Sequence, residues 1–361
     1  ASIDFLQTQR FKTGMLWKTD DIEEIIRTIE SVDRSKLDFL IDGMVIKVDD
    51  FGLRNTLGYT DKFPRWAIAY KFEAEETSTE LRDVVWQVGR TGKLTPLAIL
   101  APVRLCGATV SKATLNNYGD ITRKKVKIGS TVFVRRSNDV IPEILGIAED
   151  RGGTPITPPA VCPVCGTPTV ENGAHLFCPN GEGCVPQICA RLEHFASKDC
   201  MDIDGVSDKT VLALHEKLGV RTPADLYAIT AEQLAALDGF KEKKITRFLA
   251  AVQKSKNADL PHFLHALGIP NVGKVAARDL AERFGSVDAL ALASPEDLIA
   301  MPEVGEVMAN SIREYFRKNV ALVWQLQALG IDPKWEKQDT SGYFAGKKVV
   351  LTGKISMPRN T

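Results

Sequence analysis

Four of the chain's 7 cysteines crowd into one short stretch, CPVCGTPTVENGAHLFCPNGEGC, as Cys162, Cys165, Cys178 and Cys184. Two residues separate the first pair, twelve separate the pairs, and five separate the last two. Two short Cys knuckles supply the four tetrahedral thiolates that Zn²⁺ prefers. The stretch is too short to bury a core, so metal binding would be its folding energy. Four thiolates leave no position for water, which points to a structural rather than a catalytic metal. His175 could substitute as a ligand, but it reads better as part of a strand leading into Cys178. Cys106, Cys189 and Cys200 have no partners at such spacing and read as buried apolar residues. An odd cysteine count with one metal-like cluster suits a reducing compartment better than a disulfide framework.

The metal module would join two different textures. The chain has 361 residues, is 44% hydrophobic and 25% charged, and carries a formal net charge of +0. That is enough for several folded domains, and any electrostatic footprint must come from local clustering. No apolar run is long enough to span a bilayer and no leader pattern opens the chain, so the expected location is the cytoplasm. Residues 1–75 mix strands with one helix, expected over Thr19 to Ser31 and capped by Thr19 or Asp20. Residues 76–155 are short alternating runs punctuated by Gly and Pro, which predicts a small β-barrel. Residues 156–188 hold the cysteines and 189–338 are helical. Residues 339–361 open a strand-led domain that is not finished, and the chain starts without Met, which suggests a piece of a longer protein. The fold class is multidomain α+β.

The helical part contains a repeat. IDGVSDKTVLALHEKLG, LDGFKEKKITRFLAAV, LGIPNVGKVAARDLAERFG and MPEVGEVMANSIREYFR each place a Gly-containing turn before a helix. The turn glycines Gly205, Gly239, Gly273 and Gly305 recur at about the same interval, as a repeat architecture requires. A helix N-terminus behind a glycine turn offers free N–H groups and a positive dipole end, which suits phosphate. Lys209, Lys241, Lys243, Lys244 and Lys274 flank the first three turns. Such spaced contacts would give sequence-independent, salt-sensitive binding to a DNA backbone. The fourth turn carries Glu303 and Glu306 instead and could be a packing unit. A generic helical solenoid is the plainer alternative.

Two further stretches carry unusual charge. ITRKKVKIGSTVFVRRSNDVIP concentrates Arg123, Lys124, Lys125, Lys127, Arg135 and Arg136, either a solvated face or a nucleic-acid groove on the barrel. FLIDGMVIKVDDFGLR sets Lys47 inside an apolar alternating run. By pattern alone, Asp42-Gly43 makes a hairpin turn and Lys47 lies on the solvent face.

The order of these parts resembles bacterial NAD-dependent DNA ligase along essentially the whole chain. IDGMVIKVDD is similar to that family's D-G-x-V-I-K nucleotidyltransferase motif, and WAIAYKFEA to the A-x-K-F motif after it. The resemblance implies that Lys47 and Lys71 contact phosphate, with Lys47 as an inward-pointing clamp, and that Arg34 lies near the nucleotide and nick. VGRTGKLTPLAILAPVRL and VRRSNDVIPEI resemble its OB-fold, which implies that Arg90, Thr91, Arg136, Val140 and Ile141 grip DNA around the nick. FAGKKVVLTGKI resembles the start of a BRCT domain. The parts would then be the C-terminal part of an adenylation domain, an OB-fold, a four-cysteine zinc finger, four helix-hairpin-helix units and a truncated α/β BRCT domain. The implied activity is sealing of 5′-phosphate/3′-hydroxyl nicks through enzyme-adenylate and DNA-adenylate intermediates. NAD, Zn²⁺ and Mg²⁺ are the implied cofactors, nicked duplex DNA the partner, and a monomer active near the nucleoid in replication and repair the expected state.

The departures from that family matter. No K-x-D-G nucleophile motif is present, since residues 40–43 read Leu-Ile-Asp-Gly. The upstream glutamate motif and the domain that reads the nicotinamide half are absent as well. The chain alone is therefore expected not to complete the reaction. The alternatives are a non-catalytic DNA-binding clamp and a nucleotide-binding repair protein with a BRCT partner surface. An ATP-dependent ligase is disfavoured by the zinc and hairpin parts behind the barrel.

Overall fold

A computed structural model describes residues 3–33, 36–37, 39, 41–60, 63–72, 75–136 and 142–335. The segment of the expected BRCT domain, residues 339–361, lies outside them, as do Arg34, Val140 and Ile141.

The first part opens with helices α1 (Ile3–Thr8) and α2 (Ile22–Glu30). Asp21, not Thr19 or Asp20, caps α2, its carboxylate accepting from the Glu23 amide at 2.9 Å. Thr19 serves the turn before it, its hydroxyl accepting from the Asp21 amide. Strands β1 (Gly43–Lys47) and β2 (Ala67–Lys71) form an antiparallel ribbon, with helix α3 (Phe51–Leu57) between them in sequence. Asp42-Gly43 is therefore not a hairpin turn. Gly43 opens β1 opposite Lys71, and a Cβ there would sit 2.2 Å from the Tyr70 carbonyl oxygen. The glycine is needed for close strand approach.

Strands β3 (Glu75–Val88), β4 (Lys93–Leu105) and β5 (Ala108–Thr114) lead into helix α4 (Tyr118–Lys124). Strands β6 (Lys127–Ile128), β7 (Thr131–Arg136), β8 (Glu143–Glu149) and β9 (Thr154–Pro155) follow. The fourteen-residue β3 bends at an irregularity between Leu81 and Asp83. Its first half pairs with β7 and its second with β4. β7 pairs with β8, β8 touches β5 in parallel, and β5 returns to β4. Five strands thus close on themselves, which removes free edges and leaves a barrel filled by Leu81, Ala98, Leu100, Ala113, Val132, Val134 and Ile144.

The cysteine segment adds strands β10 (Val170–Asn172) and β11 (His175–Phe177). β11 pairs with the start of β4 through Leu176↔Leu94 and Phe177↔Lys93, so the module extends the barrel sheet. His175 lies on that strand, as expected. The rest is helical: α5 (Val185–Ala196), α6 (Asp208–Leu218), α7 (Pro223–Leu226), α8 (Ala231–Ala235) and α9 (Glu242–Ser255). Then come α10 (Leu260–Ala266), α11 (Lys274–Phe284), α12 (Val287–Ala291), α13 (Pro295–Ile299) and α14 (Glu306–Ala328). One apolar core centred on Leu192, Phe195, Leu214, Phe248, Phe263, Leu280 and Ile312 holds them together. Cys189 and Cys200 belong to this core, as their sequence context suggested. No helix among the described residues is long and apolar enough to cross a membrane.

Candidate metal centre and phosphate-facing turns

The four clustered cysteines converge. Their sulfurs all lie within 4.8 Å of one another, with Cys165 to Cys178 at 3.5 Å and Cys162 to Cys184 at 3.9 Å. Four thiolates about 2.3 Å from one tetrahedral zinc would stand about 3.8 Å apart, so the set is already at ligand spacing. Three of the four are buried and together make a small separate cluster with Leu94 and Leu176. Hydrogen bonding from Thr167 draws the Cys165 thiol down to about 6, while burial pushes Cys178 up to about 12. Hydrogen bonds on both sides hold the Cys178 backbone: its amide donates to the Gly92 carbonyl at 2.8 Å, and Gln187 donates to its carbonyl at 3.0 Å.

The four hairpin turns share one backbone geometry, and it corrects the sequence reading. A left-handed residue is followed by an apolar residue and then by the helix N-cap. The left-handed slot is filled by Gly205 (φ 87°), Gly239 (φ 76°), Asn271 (φ 64°) and Glu303 (φ 65°). The N-cap two residues later is Ser207, Lys241, Gly273 or Gly305, in extended backbone. The residue between packs inward, and Phe240, Val272 and Val304 are buried. Both slots recur at intervals of 34, 32 and 32 residues (205, 239, 271, 303). The four expected glycines thus fall on two different slots, two on each. The sequence pattern does not mark Asn271 and Glu303 as the left-handed residues because neither is a glycine, although Asn tolerates that region.

The N-caps are not equivalent. The Ser207 hydroxyl accepts from the Thr210 amide, so α6 caps itself. Lys241, Gly273 and Gly305 make no side-chain cap, which leaves the first-turn N–H groups of α9, α11 and α14 open to a ligand. Around α9 stand Lys241, Lys243 and Lys244, the last 3.8 Å over the Phe240 ring. Beside α11 is Lys274, which pairs with Asp199 at 2.7 Å. Glu303 and Glu306 crowd the α14 turn with negative charge. Turns two and three therefore combine free donors with cations.

On the ribbon, Gly43 faces Lys71 and Lys47 faces Ala67. Opposed residues share a face, so Lys47 and Lys71 lie on one side. Four residues of strand put their Cα atoms about 13 Å apart. Val45 between them is 59% exposed, and both lysines are exposed. Among the described residues the ribbon has two strands and Lys47 stands on an open face of it.

The barrel's basic run is largely paired within the barrel. Lys124 is nearly buried, bonding Asp120 at 2.6 Å and the Ile144 carbonyl at 2.7 Å. Arg123 also meets Asp120. Lys127 pairs with Asp150 and Arg135 with Glu143, both at 2.6 Å. Burial works against the Asp120 charge, yet Lys124, Asn116 and Arg123 hold its pKa at about 2.

Comparison with known proteins now settles the kinship. The NAD-dependent DNA ligase adenylation domain matches residues 1–75 and that family's OB-fold domain matches 78–154. A SAM-like helix-hairpin-helix tandem matches 197–254 and a helix-hairpin-helix motif matches 262–322. The chain belongs to the NAD-dependent DNA ligase family. DNA ligase 2 of Clostridium acetobutylicum is 50% identical over 347 residues, 94% of this chain and 52% of that protein. The DNA ligase of Alkaliphilus oremlandii is 49% identical over 359 residues, covering 97% and 54%. That of Clostridium perfringens strain 13 is 47% identical over 341 residues, covering 93% and 51%. The chain spans about half the length of the curated relatives it matches.

Among the residues expected to contact DNA, the structure brings Arg90 and Thr91 to the β3–β4 turn, with Thr91 exposed. Arg136 ends β7, half-buried, its carbonyl accepting from the Cys106 thiol. Arg90 turns away from solvent: its guanidinium donates to the Gly268 carbonyl at 3.1 Å. This bond uses one N–H of a guanidinium that carries several.

Proposed function

We propose that this chain forms the DNA-holding part of an NAD-dependent ligase that seals 5′-phosphate/3′-hydroxyl nicks in duplex DNA. The observation that carries the reading is the set of four hairpin turns of one backbone form behind a closed five-strand barrel, two of them combining open N–H groups with lysines. Backbone donors read phosphate and not base sequence, which suits an enzyme that must act at any nick. Cys162, Cys165, Cys178 and Cys184 would hold Zn²⁺, whose role is to lock the barrel sheet to α5. Lys47 and Lys71 would supply positive charge where phosphate oxygens gain negative charge, with NAD as adenylyl donor and Mg²⁺ assisting. Arg34, Arg90, Thr91, Arg136, Val140 and Ile141 complete the proposed DNA and nucleotide contacts. A BRCT domain from residue 339 onward, a cytoplasmic site of action near the nucleoid and a monomeric state belong to the same reading.

The test uses the ligase that carries this chain. Lys47→Ala should cut NAD-dependent nick sealing by on the order of a hundredfold, as loss of one transition-state donor does. Affinity for nicked duplex should stay near parental. Sealing at the parental rate would remove Lys47 from the chemistry.

A further inference from the structure

Outside the four-cysteine cluster, a second set of metal-ligating side chains converges. The Cys200 sulfur and one ring nitrogen each of His194 and His265 all lie within 4.8 Å of one another. His194 sits in the last turn of α5, the helix whose N-cap is Cys184 of the first cluster. Cys200 follows in a turn folded back on that helix. There the Met201 amide donates to the Phe195 carbonyl at 3.0 Å and the Ile203 amide to the Ala196 carbonyl at 2.9 Å. His265 comes from the last turn of α10, which leads into the third hairpin turn.

The donor set suits a zinc-class ion, which takes thiolate and imidazole together. Cys200 is 1% exposed, and the two imidazoles are half-buried, edge to face at 5.1 Å. The Cys200 sulfur stands 3.8 Å from His194 Nε2. Thiolate and imidazole ligands of one tetrahedral zinc would stand about 3.5 Å apart. His265 Nδ1 is buried and has no hydrogen-bond partner among the described residues. Buried polar atoms rarely stay unpaired, and a bound ion is one way to use such a nitrogen.

We propose that His194, Cys200 and His265 form a second metal site, which takes an exchangeable zinc-class divalent ion and leaves a fourth position to water. Two features make it weaker than the four-cysteine site. His194 Nε2 stands 2.8 Å from the His265 carbonyl, which only accepts, so that nitrogen holds a proton. Ligation moves this proton to the ring's other nitrogen and gives up the hydrogen bond. Cys200 releases its thiol proton to water as the sulfur–metal bond forms. A cation also stands close, since a Cβ on Gly268 would lie 2.4 Å from Arg90 Nη1 and 3.3 Å from His194 Cδ2. Nearby, Lys274 is paired with Asp199 at 2.7 Å. Three ligands beside an arginine hold a dication less tightly than four thiolates do. Occupancy joins the end of α5 to the end of α10, and α5 then carries a metal ligand at each end.

The test adds Co²⁺ to the full chain as purified and follows the sulfur-to-cobalt charge-transfer band. The parental chain should develop the band and release about one proton per ion bound. Cys200→Ser should lose the band that the parent gains. His265→Gln should weaken cobalt binding by about tenfold or more, the least that losing even an outer partner of a metal costs. Cys106→Ser, which removes a thiol of the barrel, should behave like the parent. Elemental analysis after equilibration with Zn²⁺ should find about one ion fewer in Cys200→Ser than in the parent. That difference decides the second site whether or not the four-cysteine cluster holds its own ion. A parental chain that gains no band, a band that survives in Cys200→Ser, or parental cobalt affinity in His265→Gln overturns the proposal. If Cys200→Ser does not fold, the parental titration and His265→Gln decide it.

Discussion

Gly273 and Gly239 are both turn glycines, yet the structure separates what each is for. Gly273 is an N-cap at φ −89° with nothing within 4 Å of where a Cβ would stand. Any residue adopts that backbone, so Gly273→Val should cost about 1 kcal/mol, the usual loss at an N-cap. In a helical domain of this size that is a drop of about 2–4 °C in melting temperature. The new side chain would stand over the α11 amides and keep a phosphate from them. Losing one hydrogen bond to a charged group costs about 1.5–3 kcal/mol, or roughly ten- to a hundredfold in Kd. Gly239→Ala reverses the balance. Its φ of 76° penalises any side chain by about 1–2 kcal/mol, and its Cβ would meet nothing. Fluorescence anisotropy with a nicked duplex at fixed salt, beside thermal melting, measures both. If Gly273→Val binds like the parent, or if Gly239→Ala melts at the parental temperature, the assignment of the two slots is wrong.

Other outcomes follow from the same geometry. The purified chain should carry one zinc by elemental analysis, and Cys178→Ser should lose it and speed exchange of the residue-178 amide, which donates to the Gly92 carbonyl; full metal occupancy in the variant would contradict the site. Asp120→Ala strands nearly buried Lys124 and should destabilise the barrel by about 3 kcal/mol, read by denaturant unfolding, since breaking a buried pair leaves a bare charge. Burial lowers the pKa of both His194 and His265, so the unfolded chain binds more protons than the folded one below the ordinary histidine value. Stability should therefore be full at neutral pH and fall as pH drops below about 6.5, and His265→Gln should flatten that fall.

The sequence disclosed what is local. Cysteine spacing predicted the metal cluster because ligands two residues apart come from one knuckle. The barrel and the hairpin repeat were readable from period and punctuation. What stayed hidden depended on distant partners. Asp42-Gly43 looks like a hairpin turn, but Gly43 is there for Tyr70, which only the fold brings opposite. A glycine in the sequence does not say which turn slot it fills, so Gly205 and Gly273 look equivalent, and neither Asn271 nor Glu303 reads as a left-handed turn residue. The basic run looked like a groove because Glu143 and Asp150, which neutralise Arg135 and Lys127, follow later in the chain. Arg90 is the extreme case, since nothing near it in sequence points to Gly268.

The central claim is that this chain holds nicked duplex by its backbone. The direct measurement is the affinity of the chain for two nicked duplexes of unrelated sequence across a salt series. The account predicts equal affinities within about twofold, and one shared, negative slope of log affinity against log salt. Salt-independent binding, or a preference of about a thousandfold for one sequence as specific readers show, would contradict it.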